Sequence, residues 1–593
     1  MKTIKLFYVY FLFTLSLTVF AQSEINNIYP SKNQLKVPLD AEIIITLNES
    51  VGNFTYDIQK LFFIQGVNSG IIKGLISIEN INNKIIFKPQ NKLFPGEIVK
   101  VGFGPLIHRN GDTLKALHWQ FTTEVPRKTE AVFDSVKRID INTSEGGFLI
   151  DINHDGKLDI ITKNGDLYYN KGNSMFHDTK LRDINGNLIS NIYYISDFNH
   201  DGILDIVSLG PILSNSSYIY FGLNDTTYIL HQTISSSDNP WGFVYSVGDI
   251  NGDNNEDLIF AEKNSDFSIT RLSVYLNDGN GSFDTHYLIA TADHRFEDIA
   301  LADICGDYKN DLIIHRCPDS MINQPTLLIY KNLDNRNFAL TKVLNYKDTF
   351  QQPGIFIQDF NGDGFLDISI DGDCGYTYYY DKDSLSLSAN FSWWIPATGF
   401  GKGVVSQGDF NGDGIYDFVF TNIIELYELG GEAPILQEIV VNTGHNFLTV
   451  DPTKIALLKD FSSNGPALVG DIDGDGAVDI INCSYPTYIA YNNVKATAVE
   501  KGKNIDTQFK VFQNYPNPFN PSTKIKYQIP NSGFVSVSLY NILGEKIKEV
   551  LNDYQTKGSH ELNISLIGFS SGIYFCRISY KNETSIIKLN FIK

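Results

Sequence analysis

The sequence predicts an all-β fold, a seven-bladed β-propeller with a smaller β-sandwich on either side of it. Three observations carry that expectation. An acidic nonapeptide recurs seven times, short β-rich runs flank every copy, and no long segment shows helical periodicity. With 593 residues, 42% of them hydrophobic, the chain has apolar material for several cores. Acidic residues outnumber basic ones 68 to 47, a net charge of −21. Nucleic-acid binding is therefore excluded, because neutralising phosphate needs basic clusters that this sequence lacks.

Residues 1–21 read as a signal peptide. Lys2 and Lys5 precede the apolar run Leu6 to Phe20, and Val19-Phe20-Ala21 suits cleavage before Gln22. The residue directly after the cleavage point is Gln22, not a cysteine, so no lipid anchor is expected, and no later run approaches the ~18 apolar residues of a spanning helix. The five cysteines, Cys305, Cys317, Cys374, Cys483 and Cys576, are odd in number and scattered. A Cys305–Cys317 bridge is conceivable, but independent buried thiols are expected rather than a disulfide framework or a zinc site.

Residues 22–124 alternate short strand-like runs with turns: AEIIITLNE, GLISIEN, NKIIFKP, GEIVKVGFG and LHWQFTTE. Strands at this spacing predict a β-sandwich. YPSKNQLKVPLDAEIIITLNE, with FKPQNKLFPGEIVKVGFG and HWQFTTE after it, resembles the bacterial Ig-like domains of cell-surface proteins, and the expected role is a spacer. Glu124 to Glu130 reads as a linker.

The repeated element is clearest in DFNGDGFLD, Asp359 to Asp367. Oxygen-bearing side chains stand at positions 1, 3, 5 and 9. Glycine at position 6 allows a sharp turn that aims the position-7 carbonyl inward. Such a loop can wrap a hard cation, since calcium takes six to eight oxygen ligands. The other copies are DINHDGKLD from Asp151, DFNHDGILD from Asp197, DINGDNNED from Asp249, DICGDYKND from Asp303, DFNGDGIYD from Asp409 and DIDGDGAVD from Asp471. They follow one another at 46, 52, 54, 56, 50 and 62 residues. Position 12 is never acidic and a strand rather than a helix follows each loop, which rules out an EF-hand.

A four-stranded unit of this length, repeated seven times, marks a β-propeller over residues 131–494. Each repeat is expected to run strand, loop, strand, strand, strand. In the sixth these are VVSQGD, the loop, DFVFTN, IELYELG and ILQEIVV. After the seventh loop only two strands remain, DIINCS and TYIAYNN, whereas one strand too many, AVFDSVKRID, precedes the first loop. That strand is expected to complete the last blade and so remove an open sheet edge.

These residues resemble the FG-GAP/VCBS repeats, whose best-known members form the calcium-binding propeller of integrin α-subunits. The resemblance implies one Ca2+ per blade. The ligands carried over are Asp151, Asn153, Asp155, Lys157 and Asp159 in the first loop, and Asp197, Asn199, Asp201, Ile203 and Asp205 in the second. In the third they are Asp249, Asn251, Asp253, Asn255 and Asp257. The fifth offers Asp359, Asn361, Asp363, Phe365 and Asp367, and the sixth Asp409, Asn411, Asp413, Ile415 and Asp417. The seventh offers Asp471, Asp473, Asp475, Ala477 and Asp479. Position 7 enters through its carbonyl in every case. Asn254 replaces the glycine in the third loop and is expected to tolerate the turn. In the fourth, Cys305 at position 3 is a soft ligand and Tyr308 at position 6 opposes the turn, so that site is expected to be weak or empty. Repeated equivalent ions suggest a scaffold rather than an active site.

Strand connections on the side away from the loops carry Trp241, Trp393 and Trp394, which could stack on sugar rings or wedge between blades. No H-E-x-x-H or P-loop pattern occurs, and His154 and His200 are fourth residues of loops. After a linker at 495–508, residues 509–593 hold NYPNPFNPST, LYNILGEKI, SGIYFCRI and a terminal KLNFIK. These closely resemble the type IX secretion sorting domains of Bacteroidetes-lineage bacteria, which implies export across the outer membrane. The sequence thus points to a secreted or surface-displayed binding or adhesion module with a glycan or protein ligand and the secretion machinery as partners. The alternative is a polysaccharide lyase or hydrolase built on the propeller.

Overall fold

The computed structural model describes residues 25–492 and 509–592, less the stretches 56–60, 109–112, 127–132, 211–215, 236–240, 264–268, 292–295, 317–325, 334–336, 346–354, 371–375, 382–385, 393–400, 424–434, 441–455 and 459–466 and isolated positions at 115, 134, 513, 515, 516, 531, 532, 543, 544, 556, 557 and 582. Apart from two short 3-10 turns, every element among the described residues is a β-strand. Two compact units divide at Val494.

Near the N-terminus two four-stranded antiparallel sheets carry the predicted strands. One pairs Ile25–Tyr29, Ile43–Leu47, Lys84–Pro89 and Gly74–Glu79 in that order; the other pairs Leu117–Thr122, Ile98–Phe103, Phe62–Gly66 and Gly70–Ile71. Alternation dictates the arrangement, since Ile43, Ile45, Ile85, Val99, Val101 and Phe121 are each at most 1% exposed. Phe62 meets Phe87 of the facing sheet at 5.5 Å between ring centroids.

Seven further sheets follow, each organised around one acidic loop. In the first, Gly147–Ile150 leads through the loop to Asp159–Thr162, then Asp166–Asn170 and Phe176–Lys180, all antiparallel. The same order recurs in the second to sixth sheets. The second gains an outer parallel strand, Arg182–Asp183. In the sixth, the third strand is Ile435–Val440 and the fourth Ala456–Leu458. That corrects the sequence assignment of ILQEIVV as the fourth strand; IELYELG lies outside the described residues. The seventh sheet has Ala467–Gly470, Asp479–Asn482 and Thr487–Tyr491, and its fourth strand is Ser135–Ile139, antiparallel to Thr487–Tyr491. The strand ahead of the first loop therefore completes the last sheet.

The strand after each loop is buried along its length in the first, fifth and seventh sheets. It reads as a continuous apolar run because other sheets cover both its faces. The first and second sheets share a core through Ile161, Leu167, Ile192 and Ile206, and the second and third through Phe198, Val207, Val247 and Phe260. Ile259 and Ile314 join the third to the fourth. Ile313 and Ile368 join the fourth to the fifth. Phe360 and Phe418 meet at 5.0 Å between the fifth and sixth, and Phe410 and Val419 pack on Val478 and Ile480 of the seventh. Finally Leu149, Ile160 and Tyr168 of the first sheet pack on Ile472, Ile481 and Ile489 of the seventh. Each such buried Leu, Ile or Phe contributes about 1.5–3 kcal/mol, so the sheets stabilise one another.

The C-terminal unit is a second sandwich. Lys510–Val511, Ser522–Ile529 and Gly558–Ser565 form one sheet, and Lys546–Gln555, Gly533–Tyr540, Gly572–Tyr580 and Glu583–Phe591 the other. Ile525, Tyr527, Val537, Leu539, Cys576 and Leu589 lie in its core. No helix among the described residues is long and apolar enough to cross a membrane.

Candidate metal centre

The seven loops share one backbone form. Position 6 is left-handed in Gly156, Gly202, Asn254, Tyr308, Gly364, Gly414 and Gly476, with φ from 65° to 91°. Tyr308 adopts that conformation at φ 65°, so it does not abolish the turn as its side chain suggested. Position 4 is left-handed too: Gly252, Gly306, Gly362, Gly412 and Gly474, with His154 at 56° and His200 at 59°. Histidine is among the few non-glycine types enriched there, which explains its appearance at that point of the motif.

The loop is closed by its own carboxylates. The position-1 aspartate accepts from the N–H groups of positions 5 and 6, as Asp359 does from Asp363 (3.1 Å) and Gly364 (2.8 Å). The position-3 oxygen accepts from the position-5 N–H (Asn361, 2.9 Å) and the position-5 carboxylate from the position-7 N–H (Asp363, 2.9 Å). The position-9 aspartates Asp159, Asp205, Asp257, Asp311, Asp367, Asp417 and Asp479 are at most 1% exposed. In the second, third, fifth, sixth and seventh loops that side chain accepts from the position-2 N–H, at 2.9 to 3.0 Å.

Hydrogen bonds leave acceptors over. Asp159 Oδ2 and Asn251 Oδ1 are buried without a hydrogen-bond partner. In the seventh loop Asp471, Asp473 and Asp479 each bring a carboxylate oxygen within 4.8 Å of the others. Burial drives Asp205 up to about 8, Asp159 to about 7, and Asp197, Asp359, Asp409 and Asp471 to about 6, with neighbouring loop carboxylates adding to the rise. Several acids crowded out of water favour ionisation together only when a cation sits among them. Outside the fourth loop, where Cys305 stands at position 3, the donor set is all oxygen and suits calcium.

The N-terminal sandwich lies on these loops and is not a spacer held away from them. Asp151 N–H donates to the Asn68 carbonyl at 2.8 Å. Ser196, just before the second loop, donates to Gln65 at 2.8 Å, and Phe63 meets the His200 ring edge-on at 5.3 Å. His118 Nε2 stands 2.5 Å from Asp249 Oδ2, and Ala116 N–H donates to the Gly252 carbonyl. Lys32 pairs with Asp303. Asn33 Nδ2 donates to the Gly364 carbonyl at 3.0 Å, and Tyr416 hydroxyl to the Gly96 carbonyl at 2.7 Å. A Cβ on Gly96 would lie 3.0 Å from Val478 of the seventh loop. One small sandwich thus touches all seven loops. Burial alone would raise Asp249, but His118 together with the Asn254 and Gly252 N–H groups offsets it and holds that carboxyl below its ordinary range.

Four asparagines outside the loop motif link the first, third, fourth and seventh sheets to the loop before each. Asn277, Asn332 and Asn492, at the ends of third strands, donate from Nδ2 to the position-2 carbonyls Phe198, Ile250 and Phe410 of the preceding loops, at 2.9, 2.8 and 2.7 Å. Asn170 does the same to Ile472 of the seventh loop at 2.8 Å. Their own N–H groups donate to the position-9 carboxylates. The signal was present as Tyr-x-Asn or Tyr-Asn in YYN, YLN, YKN and AYN. Trp241 opens the first strand of the third sheet, at the end away from the loop; Trp393 and Trp394 lie outside the described residues. The fourth tryptophan, Trp119, is buried and donates to the Pro30 carbonyl at 3.0 Å. Cys305, Cys483 and Cys576 are unbridged, as expected.

Comparison with known families agrees with this layout at two places. Residues 197–260 and 249–314 match the FG-GAP-like repeat, and residues 513–592 match the secretion system C-terminal sorting domain. The tail is an export signal. The protein is accordingly delivered to the outer surface of a Bacteroidetes-lineage cell or released from it, and the match of its tail implies the secretion machinery as a partner. No curated protein sequence matches the chain. Among solved structures it is similar to the S-layer protein rSbsC(31-844), at 9% identity over 95% of this chain and 54% of that one, TM-score 0.12. It is also similar to a tetra-tandem repeat in the extending region of a large adhesion protein, at 9% identity over 93% and 95%, TM-score 0.12. The chain spans about half the length of the first of these, and overlaps this loose carry no argument about its fold.

Proposed function

We propose that residues 131–494 form a closed, seven-bladed β-propeller whose acidic loops hold calcium, and that the exported protein uses it as a binding or adhesion module. Residues 22–124 would be its Ig-like cap, 495–508 a linker and 509–593 the sorting domain. In the first, second, third, fifth, sixth and seventh loops, side chains 1, 3, 5 and 9 and the position-7 carbonyl would hold the ion, which would neutralise the crowded carboxylates and stiffen each blade. The observation that carries the reading is the shared core between the first and seventh sheets together with the strand Ser135–Ile139 completing the seventh.

The sandwich covers the loop ends of the sheets, so a glycan or protein ligand is left the opposite ends, where Trp241 opens its strand; the sequence order of strands and loops assigns Trp393 and Trp394 to the same ligand face. Equivalent loops repeated around a scaffold favour binding over catalysis. The test is a screen of surface polysaccharides and host-type glycoproteins against the mature protein in calcium. Saturable binding without release of reducing ends, lost in a Trp241, Trp393 and Trp394 triple alanine variant, supports the reading. Release of reducing ends or unsaturated products would replace it with a polysaccharide-active enzyme.

A further inference from the structure

The fourth loop has kept the shape of its relatives and lost their chemistry. Its position-1 carboxylate still accepts from the position-5 and position-6 N–H groups, Asp307 at 2.9 Å and Tyr308 at 2.5 Å. Position 3, an amide or acid in every other copy, is Cys305, whose N–H donates to Asp311 at 2.9 Å. Burial and the Asp311 carboxylate push the Cys305 thiol up to about 12, so it stands as a neutral donor rather than a thiolate. Three carboxylates, Asp303, Asp307 and Asp311, nevertheless remain at positions 1, 5 and 9.

Two lysines reach those carboxylates. Lys32, from the N-terminal sandwich, pairs with Asp303; its side chain is 15% exposed and that of Asp303 8%. The same ammonium stands 5.2 Å from the centre of the Tyr308 ring, so the residue that displaced the glycine offers the lysine a π-face. Lys331 pairs with Asp307 at 3.1 Å. It follows the residue paired with loop position 10, and the register equivalents are Tyr169, Phe221, Leu276, Tyr379 and Tyr491 in the first, second, third, fifth and seventh sheets. Among these a lysine occurs only beside the loop that lacks the oxygen ligand. Two ammonium groups carry the charge of one divalent ion.

We propose that the fourth loop has exchanged its metal for Lys32 and Lys331, and that Lys32 thereby fastens the N-terminal sandwich to the repeat array through a contact that chelation does not release. The proposal rests on the calcium reading of the other loops only for the contrast between them. A partly buried pair of this kind loses little to salt screening, whereas ions bound by the other loops are removable by mass action.

The test uses the mature full-length protein. In crystals grown with calcium, anomalous scattering is expected at other loops and not between Asp303 and Asp307. Lys32→Met and Lys331→Met are each expected to lower the melting temperature by a few degrees in EDTA. The combined variant K32M/K331M/C305N/Y308G, with the position-3 oxygen ligand and the position-6 glycine restored, is expected to bind one more calcium per chain than the parent. An ion in the parent's fourth loop, or melting temperatures in EDTA unchanged by both lysine substitutions, would overturn the proposal. Should the combined variant not fold, those two measurements still decide. Should the parent bind no calcium anywhere, the calcium reading fails, while the EDTA melts continue to judge the two lysines.

Discussion

Asn170 donates its side-chain amide to the Ile472 carbonyl at 2.8 Å, joining the end of the first sheet to the loop of the seventh across 302 positions of sequence. Asn277, Asn332 and Asn492 make the equivalent bond to the sheet immediately before them. The join between the ends of the array therefore uses the same chemistry as the joins inside it. Asn170→Ala leaves a buried carbonyl without its donor, at a cost of about 1–3 kcal/mol. Thermal or denaturant melts should show Asn170→Ala and Asn277→Ala destabilised alike; an Asn170→Ala protein as stable as the parent would mean that the first and seventh sheets do not depend on each other.

Calcium removal should lower the melting temperature, and added calcium should restore it. A ligand bound only by the folded state contributes about 2.7 kcal/mol per site at a hundredfold excess over Kd, so several loops acting together give a large shift. Asp359→Ala should reduce the calcium bound per chain by one and shrink the EDTA-sensitive part of the shift. Differential scanning calorimetry with metal analysis checks both.

Tyr416→Phe removes the hydroxyl that reaches from the sixth loop to the Gly96 carbonyl. The expected loss is about 0.5–1.5 kcal/mol, the net value of one hydrogen bond. Hydrogen exchange should report it as faster exchange in Ile98–Phe103 and in the loop from Asp409, with the C-terminal unit unaffected.

The thiols of Cys483 and Cys576, 1% and 0% exposed, are pushed by burial from an ordinary value near 9.0 to about 12. At pH 8 they should resist iodoacetamide in the native protein and react once it is unfolded, as mass spectrometry would show. The folded state holds these protons more tightly than the unfolded chain. Stability should therefore fall as pH rises from about 9 toward 12, and Cys576→Ser should lessen that loss in the C-terminal unit.

The loops were legible because their chemistry is local. Asp, Asn and Gly at fixed offsets within nine residues must fold around one point, and the apolar DII or DLI that follows has to be a strand buried on both faces. The order of strands was legible too, including the displaced Ser135–Ile139, because a missing strand at one end matched a spare one at the other. What failed was non-local or carried by one residue. Asn170 and its counterparts sit at varying distances from their loops, 11 residues in one sheet and 21 in another, so they leave no fixed-length pattern. In the sixth repeat two apolar runs competed for one strand, and propensity could not say that ILQEIV pairs directly with Asp417–Ile423. Lys32 and His118 look like ordinary surface residues of a sandwich; their significance comes from the loops of another domain.

The pairing of Ser135–Ile139 with Thr487–Tyr491 has a consequence for assembly. The segment synthesised first cannot find its edge partner until nearly all of the array behind it has been made and exported. Closing so long a loop is entropically costly and slow. A nick or truncation before Tyr491 would leave two frayed ends rather than one shortened protein, whereas removal of the tail beyond Val494 would spare the pair.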